Sequence, residues 1–224
     1  MLRCGPLPLL PRLQTGDLRR KVFQQRRKAL IVFVVDASES MGEGAFERMK
    51  AAKGAILGWL VTAYQQRDQV ALVAFRGQQA KVLLRPTTSV LLARQSLRQL
   101  PVGGATPFAD GLWQAAQLID NARRKYGRLQ PLMVVVSDGE ANVPLVKGAE
   151  VLPELFVLGG RLGKERIKAI IVDSGSTADG SKNLRRLATE MGGVYRQVRD
   201  LHAGRLFDLV RSNGNKPGKE IDKR

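Results

Sequence analysis

The stretch VVDASES brings two carboxylates and two hydroxyls together directly after an apolar run. Asp36, Ser38 and Ser40 alternate along it, a spacing which suggests that they hold one ligand together. Thr106, in GGATP, and Asp138, in SDGEAN, offer further side-chain oxygens. Hard oxygen ligands without nitrogen or sulfur favour Mg²⁺, Mn²⁺ or Ca²⁺ over zinc or copper. The residue types therefore predict a divalent-cation site.

The elements that would position these residues alternate along the chain. Apolar and β-branched runs predict strands, whereas apolar residues at helical spacing predict helices. The predicted strands cover 29–35, 69–75, 81–85, 131–137, 168–174 and 194–198, and the predicted helices cover 45–66, 89–100, 107–126, 181–191 and 203–212. A further helix is expected within 144–163, which Pro153 and the pair Gly159-Gly160 interrupt. This order predicts an α/β fold, with a mostly parallel central sheet, helices on both faces and one antiparallel edge strand.

In such a sheet, ligands bind where loops leave the carboxyl ends of the strands. Asp36 and Asp138 each follow a predicted strand, and Thr106 precedes a predicted helix, of which it is also a candidate N-cap. We expect the three loops to meet at one rim, with both aspartates at solvent-facing loop ends. Each stretch by itself is also typical of an ordinary turn or loop. Their joint occurrence, each beside the right kind of element, favours the cation site.

The predicted domain occupies residues 29–212, between a basic N-terminal tail or linker remnant at 1–28 and a basic C-terminal tail at 213–224. The net charge of the whole chain is +17. Residues 1–28 contribute about +7 and residues 211–224 about +3, so the basicity is concentrated toward the ends. Such tails favour docking to acidic partner surfaces.

Several functional classes lack the residues that they need. Cys4 and His202 are alone in their types, which excludes a disulfide framework, a thiolate metal site and a two-histidine motif. In LGGRLGKE, Leu158 and Glu165 stand where a P-loop needs glycine and Ser/Thr, so no ATP site is expected in this chain. The basic ends carry no interleaved aromatic residue except Phe23, which argues against nucleic-acid binding. No apolar run is long enough for a signal peptide or a membrane span, which predicts a cytoplasmic protein.

The five oxygen-bearing residues of the predicted cation site resemble the metal-ion-dependent adhesion site (MIDAS) of von Willebrand factor A domains. A closer resemblance is to the C-terminal, integrin-I-like A domain of the D-type subunits of magnesium chelatase. It is carried by six stretches that span most of residues 17–144: DLRRKVFQQRRKALIVFVVDAS, RMKAAKGAI, AYQQRDQVALVAFRG, LLRPTTS, LPVGGATPFADGL and VVVSDGEANVP. The resemblance implies a Rossmann-like von Willebrand factor A fold, here without the AAA+ domain of those subunits. The chain would then be either a stand-alone A domain or a fragment.

The resemblance also implies roles for single residues. Ser38 and Ser40 would bind Mg²⁺ (or Mn²⁺) directly, Thr106 directly or through water, and Asp36 and Asp138 mostly through water. The family pattern usually has glycine at the position of Glu39. This extra carboxylate has three open roles: it tightens metal binding, repels an acidic ligand or points into solvent. Glu43 and Glu140 are expected on the solvated surface.

The function implied by the resemblance is a non-catalytic platform subunit of an ATP-dependent magnesium or cobalt chelatase, in porphyrin, chlorophyll or cobalamin biosynthesis. Its cation would bind a carboxylate of a partner, either the AAA+ ATPase subunit or the large porphyrin-binding subunit. The chain would have no active site of its own. An alternative is a cytosolic A-domain partner of a MoxR-type AAA+ ATPase outside tetrapyrrole chemistry.

Overall fold

The computed structural model describes residues 29–38, 54, 57, 58, 61, 65, 68–98, 103–127, 129–175 and 177–197. Ser40 and Glu39 lie outside the described residues, as do Glu43, both predicted tails and the helix predicted at 203–212. In the predicted helix 45–66, the described residues 54, 57, 58, 61 and 65 are all helical.

The described strands form one six-stranded sheet in the order β3-β2-β1-β4-β5-β6. They are β1 (Ala29–Asp36), β2 (Gln69–Arg76), β3 (Gln79–Thr87), β4 (Gln130–Ser137), β5 (Lys168–Asp173) and β6 (Val194–Gln197). Neighbouring strands run parallel except for the β2–β3 hairpin, which is antiparallel and places β3 at one edge. The predicted fold class, including its single antiparallel edge strand, is confirmed.

Four helices have described bounds: α1 (Val90–Arg98), α2 (Phe108–Tyr126), α3 (Val151–Lys164) and α4 (Ala178–Glu190). Side chains of β1 alternate between the two faces of the sheet, as the strand period requires. Val32 belongs to the larger apolar core, which the helices α2, α3 and α4 cover. Phe33 belongs to a second core, to which α1 contributes Ala93 and Leu97. Helices therefore pack on both faces of the sheet, as predicted.

The helix expected within 144–163 is α3, and it begins at Val151. Pro153 lies in its first turn, where a backbone N–H has no partner inside the helix and proline is tolerated. Gly159 lies within the helix, where a Cβ would come within 2.8 Å of Leu187 Cδ1. The glycine therefore allows α3 to pack closely against α4. Among the described helices, none has the length and apolar character needed to cross a bilayer.

Candidate metal centre

Asp36, the last residue of β1, links three parts of the site and is 1% exposed. Its Oδ1 accepts hydrogen bonds from the backbone N–H of Ser38 (3.0 Å) and from Ser38 Oγ (2.6 Å). Its Oδ2 accepts a hydrogen bond from Ser137 Oγ, at the end of the neighbouring strand β4 (2.8 Å). A hydroxyl that donates its proton to a carboxylate still carries two acceptor lone pairs. Ser38 Oγ can therefore coordinate a cation while it remains bonded to Asp36.

Thr106 is held by its backbone, whereas its hydroxyl has no hydrogen-bond partner among the described residues. Its N–H donates to Asn142 Oδ1 (2.6 Å), and its carbonyl accepts from the N–H of Asn142 (3.2 Å). The preceding Gly103 donates its N–H to the carbonyl of Ala37 (2.8 Å), which attaches this loop to the one that follows β1. Thr106 Oγ1 is buried and forms no hydrogen bond within the part of the chain that the structure describes. A buried polar atom without a partner is costly, and a bound cation would remove that cost. This oxygen is therefore a candidate ligand atom.

The prediction that Thr106 caps α2 is wrong. The helix begins at Phe108, the N-cap position is Pro107, and no side chain caps it. Asn142 fixes the backbone of Thr106 one residue upstream of the cap, where its hydroxyl receives no N–H of the first turn.

Asp138 follows β4 and is 4% exposed. Its Oδ1 accepts a hydrogen bond from the N–H of Glu140 (3.0 Å). The β5–α4 segment packs against its backbone through glycines: a Cβ on Gly175 would lie 2.8 Å from the Asp138 carbonyl oxygen, and a Cβ on Gly180 only 2.1 Å from it. The position of Asp138 is therefore set by close backbone contact with the residues between β5 and the first turn of α4.

Both aspartates were expected at solvent-facing loop ends, and the structure shows that both are buried. The loops fold over the ends of their strands, with Ala37 completely buried beside Asp36 and Gly180 against Asp138. The three loops are joined to one another by hydrogen bonds: Gly103 to Ala37, Thr106 to Asn142, and Ser137 to Asp36. Glu140 is exposed, as predicted.

Three residues that connect the site were missed in the sequence. Ser137 and Asn142 lie in SDGEAN beside Asp138, and only the hydrogen bonds reveal what they hold. Asp173 ends β5 and is 2% exposed. Its Oδ2 accepts hydrogen bonds from Ser181 Oγ and Tyr195 Oη (both 2.5 Å). The first anchors the beginning of α4 beside Asp138, and the second connects β6 to the end of β5. The available signal was its place directly after the apolar run IIV, which matches the placement of Asp36.

The electrostatics of the site raise the pKa of Asp36 from 3.8 to about 7. Burial is the main cause because it penalises the charged carboxylate, and the nearby negative charge of Asp138 adds to it. Hydrogen bonds from Ser38 and Ser137 act in the opposite direction. A buried carboxylate whose charge is disfavoured by burial and by a neighbouring negative charge is the environment that a divalent cation relieves.

This pKa predicts that the metal-free protein loses stability as the pH rises. The folded-state pKa of about 7 lies above the ordinary 3.8, so the folded state binds the proton more tightly than the unfolded state. The contribution is complete below about pH 4 and is lost as the pH rises through about 7. From about pH 5 to about pH 8 we expect the free energy of unfolding in EDTA to fall by roughly 2–3 kcal/mol from this group. Denaturant titrations of the wild type and of Asp36→Asn isolate the effect, since the variant should lack this part of the slope. Equal slopes in the two proteins would contradict the assignment.

The donor set fits a hard cation. Among the described residues there is no cluster of three or more His, Cys, Asp or Glu side chains, so a metal here would depend on hydroxyl ligands as well as on Asp36 and Asp138. Ser38 Oγ and the unpaired Thr106 Oγ1 supply such ligands at the same rim. Neutral hydroxyls leave much of the charge of Mg²⁺ or Mn²⁺ available to another anion.

Comparison with known proteins agrees with this architecture. The sequence-family model of the von Willebrand factor type A domain matches residues 31–140, the segment that contains every predicted site residue. An uncharacterized protein of Methanocaldococcus jannaschii is 32% identical over 170 residues, which cover 75% of this chain and 97% of that protein. The chain belongs to the von Willebrand factor type A domain family. We refer to the predicted domain, residues 29–212, as the A domain.

The A domain is also similar to larger proteins. The magnesium-chelatase 67 kDa subunit of Chlorobaculum parvum is 35% identical over 210 residues, covering 89% of this chain and 33% of the larger protein. The corresponding protein of Heliobacterium mobile is 36% identical over 204 residues, 88% of this chain and 30% of its own length. The chain thus spans about a third of the length of these relatives.

Solved structures support the fold alone. The SpRpn10 VWA domain superposes with a TM-score of 0.59 at 19% identity and covers 88% of this chain and 100% of that domain. The vWF domain of the pili tip protein Mfa5 from Porphyromonas gingivalis gives a TM-score of 0.63 at 15% identity, with coverage of 88% and 99%.

Proposed function

We propose that the A domain binds Mg²⁺, or Mn²⁺ in its place, and uses the cation to dock a carboxylate of a partner protein. The proposed ligands are the predicted set: Asp36, Ser38, Ser40, Thr106 and Asp138. The partner we propose is the AAA+ ATPase subunit of a metal chelatase or its large porphyrin-binding subunit. The chain would serve in that complex as a non-catalytic platform, and the complex would be cytoplasmic.

The observation that carries the metal proposal is the buried, unpaired Thr106 Oγ1. Its loop is bonded to Ala37, between Asp36 and Ser38, which brings that loop against the one that carries two of the proposed ligands. A hydroxyl in this position is destabilising in an isolated protein and becomes favourable once a cation accepts its lone pair. Thr106 Oγ1 would serve no purpose if these residues only connected the loops, because it takes part in none of the hydrogen bonds described between them.

A bound divalent cation would supply positive charge at a rim whose own ligands include neutral hydroxyls. An external carboxylate can complete such a coordination shell, which makes the site suited to adhesion. The residues of the chain would bind the cation and orient the partner's carboxylate. Asp36 additionally holds Ser38 and Ser137 in place. The chelatase assignment is supported by the similarity to magnesium-chelatase 67 kDa subunits across almost 90% of the chain.

Metal-dependent co-elution tests this function. The purified chain is mixed with the AAA+ chelatase subunit of the same organism and separated by size in Mg²⁺ or in EDTA. We expect a complex in Mg²⁺ only, and we expect Asp138→Asn to weaken it at least about tenfold because the buried carboxylate at the cation is lost.

The matched control is Asp120→Asn, which removes the same charge from a half-exposed position on α2. This variant should bind as the wild type does. A complex that forms equally well in EDTA, or that survives Asp138→Asn unchanged, would refute metal-bridged docking.

A further inference from the structure

A surface groove lies beside the candidate metal centre. It is formed between the β2–β3 hairpin and the loop that leads to Thr106, and its volume is about 430 Å³. Its lining includes the exposed basic residues Arg76 and Lys81, together with the partly buried Leu83 and the backbone of Gly103. The groove therefore combines positive charge with a small apolar surface.

The groove is continuous with the site loops. Gly104 has a φ of 92°, and a Cβ on it would lie 3.2 Å from Gly77 at the tip of the hairpin, so the two backbones are in contact. Gly103 in turn donates its N–H to Ala37, between two of the proposed ligands. Thr106 is two residues beyond Gly104, and therefore the Cα atoms of these two residues are at most ~7.6 Å apart. An extended ligand bound at the cation would reach the groove within about two residues, since each residue spans roughly 3.3 Å.

The charged residues between positions 69 and 109 all have one sign. No Asp or Glu occurs between positions 69 and 109. The basic residues of that segment are all exposed: Arg76, Lys81, Arg85, Arg94 and Arg98. The first acidic residue after it, Asp110, is engaged with the hairpin, where its Oδ2 accepts the N–H of Ala80 (2.6 Å). The β3 edge thus offers an anion a surface without competing acidic side chains from these elements.

The other side of the site has the opposite character. The segment 138–154, which runs from Asp138 to the first turn of α3, carries four acidic residues and one lysine. Glu140 and Glu150 are exposed there. An acidic ligand centred on the cation would be repelled on that side and attracted toward the hairpin.

We infer that the natural ligand is an acidic segment with two carboxylates about two residues apart, one at the cation and the other in the groove beside Lys81 and Arg76. This inference rests on the proposed metal-dependent docking and specifies what distinguishes the partner segment from any single carboxylate. Lys81 is then a specificity residue outside the metal ligands.

Two blocked peptides test the inference in Mg²⁺, GDGDG and GDGNG, which differ by one carboxylate. We expect the wild type to bind GDGDG about fivefold more tightly, of which about twofold is statistical because either aspartate can occupy the cation. In Lys81→Glu the ratio should fall to about two or below, while binding of GDGNG changes little. NMR titration supplies the affinities and also the location, since the amide signals of Gly77, Gly103 and Gly104 should shift with GDGDG and much less with GDGNG.

Lys164→Glu is the matched control, since it reverses an exposed lysine at the far end of α3, near the amino ends of the strands. It should keep the wild-type ratio. If the affinities of the two peptides in Mg²⁺ differ by no more than the statistical factor of two, the carboxylate contact in the groove is refuted, while the proposed metal site is unaffected. Failure of both peptides to bind in a Mg²⁺-dependent way would overturn the docking function together with the groove. A preference for GDGDG that persists unchanged in EDTA would overturn the two-point segment.

Discussion

Replacing Thr106 with valine is expected to abolish the response to Mg²⁺ and, at the same time, to stabilise the metal-free protein. Thr106 Oγ1 is buried and has no hydrogen-bond partner in the described ranges, which costs about 1–3 kcal/mol relative to an apolar group of the same shape. Valine fills the same space without the hydroxyl, so the free energy of unfolding in EDTA should rise by about 1 kcal/mol, or about 2–4 °C in Tm. The gain in Tm that Mg²⁺ gives the wild type should disappear, because ligand stabilisation requires a bound state.

Thermal unfolding in EDTA and in millimolar Mg²⁺ measures both effects. The loss of the electron paramagnetic resonance signal of free Mn²⁺ on binding reports the affinity directly. Thr106→Ser is the matched control, since it keeps the hydroxyl and should retain the metal response. A valine variant that is less stable in EDTA and still responds to Mg²⁺ would show that the hydroxyl has a structural role instead.

Replacing Gly180 with alanine is expected to destabilise the protein by about 2–3 kcal/mol and to weaken the metal response as well. The added Cβ would lie 2.1 Å from the carbonyl oxygen of Asp138 and 2.7 Å from Thr177 Oγ1. Backbone atoms cannot rotate away as a flexible side chain can. Either the beginning of α4 or the Asp138 loop must therefore move, and the second movement displaces a proposed metal ligand.

Gly160→Ala is the control within a helix, because a Cβ there meets nothing closer than Glu190 Oε2 at 3.6 Å. At this site alanine should leave stability unchanged or raise it by up to about 1 kcal/mol. Denaturant unfolding and the Mn²⁺ titration compare the two variants. Wild-type stability and metal affinity in Gly180→Ala would show that α4 is not held against Asp138 in solution.

Much of the fold was predictable because its signals are local. The apolar runs that became β1, β4 and β5 carry strand information within a few residues. The short connection RGQQA between the strands predicted at 69–75 and 81–85 is typical of a hairpin and indicated the antiparallel edge. Even Pro153 was compatible with the helix α3, since its position in the first turn removes no intrahelical hydrogen bond.

The amino-acid sequence by itself determined the α/β class and the oxygen-rich residue types of the site, and it determined that Asp36 and Asp138 follow strands that can lie side by side. Only the tertiary structure decided that both are buried and that Thr106 Oγ1 is left without a partner, because burial depends on which segments cover a strand end. The bonds that position these residues join distant parts of the chain, such as Ser137 to Asp36, 101 residues apart, and Thr106 to Asn142, 36 residues apart. Contacts of this kind exist only after the sheet has assembled, so no local pattern encodes them.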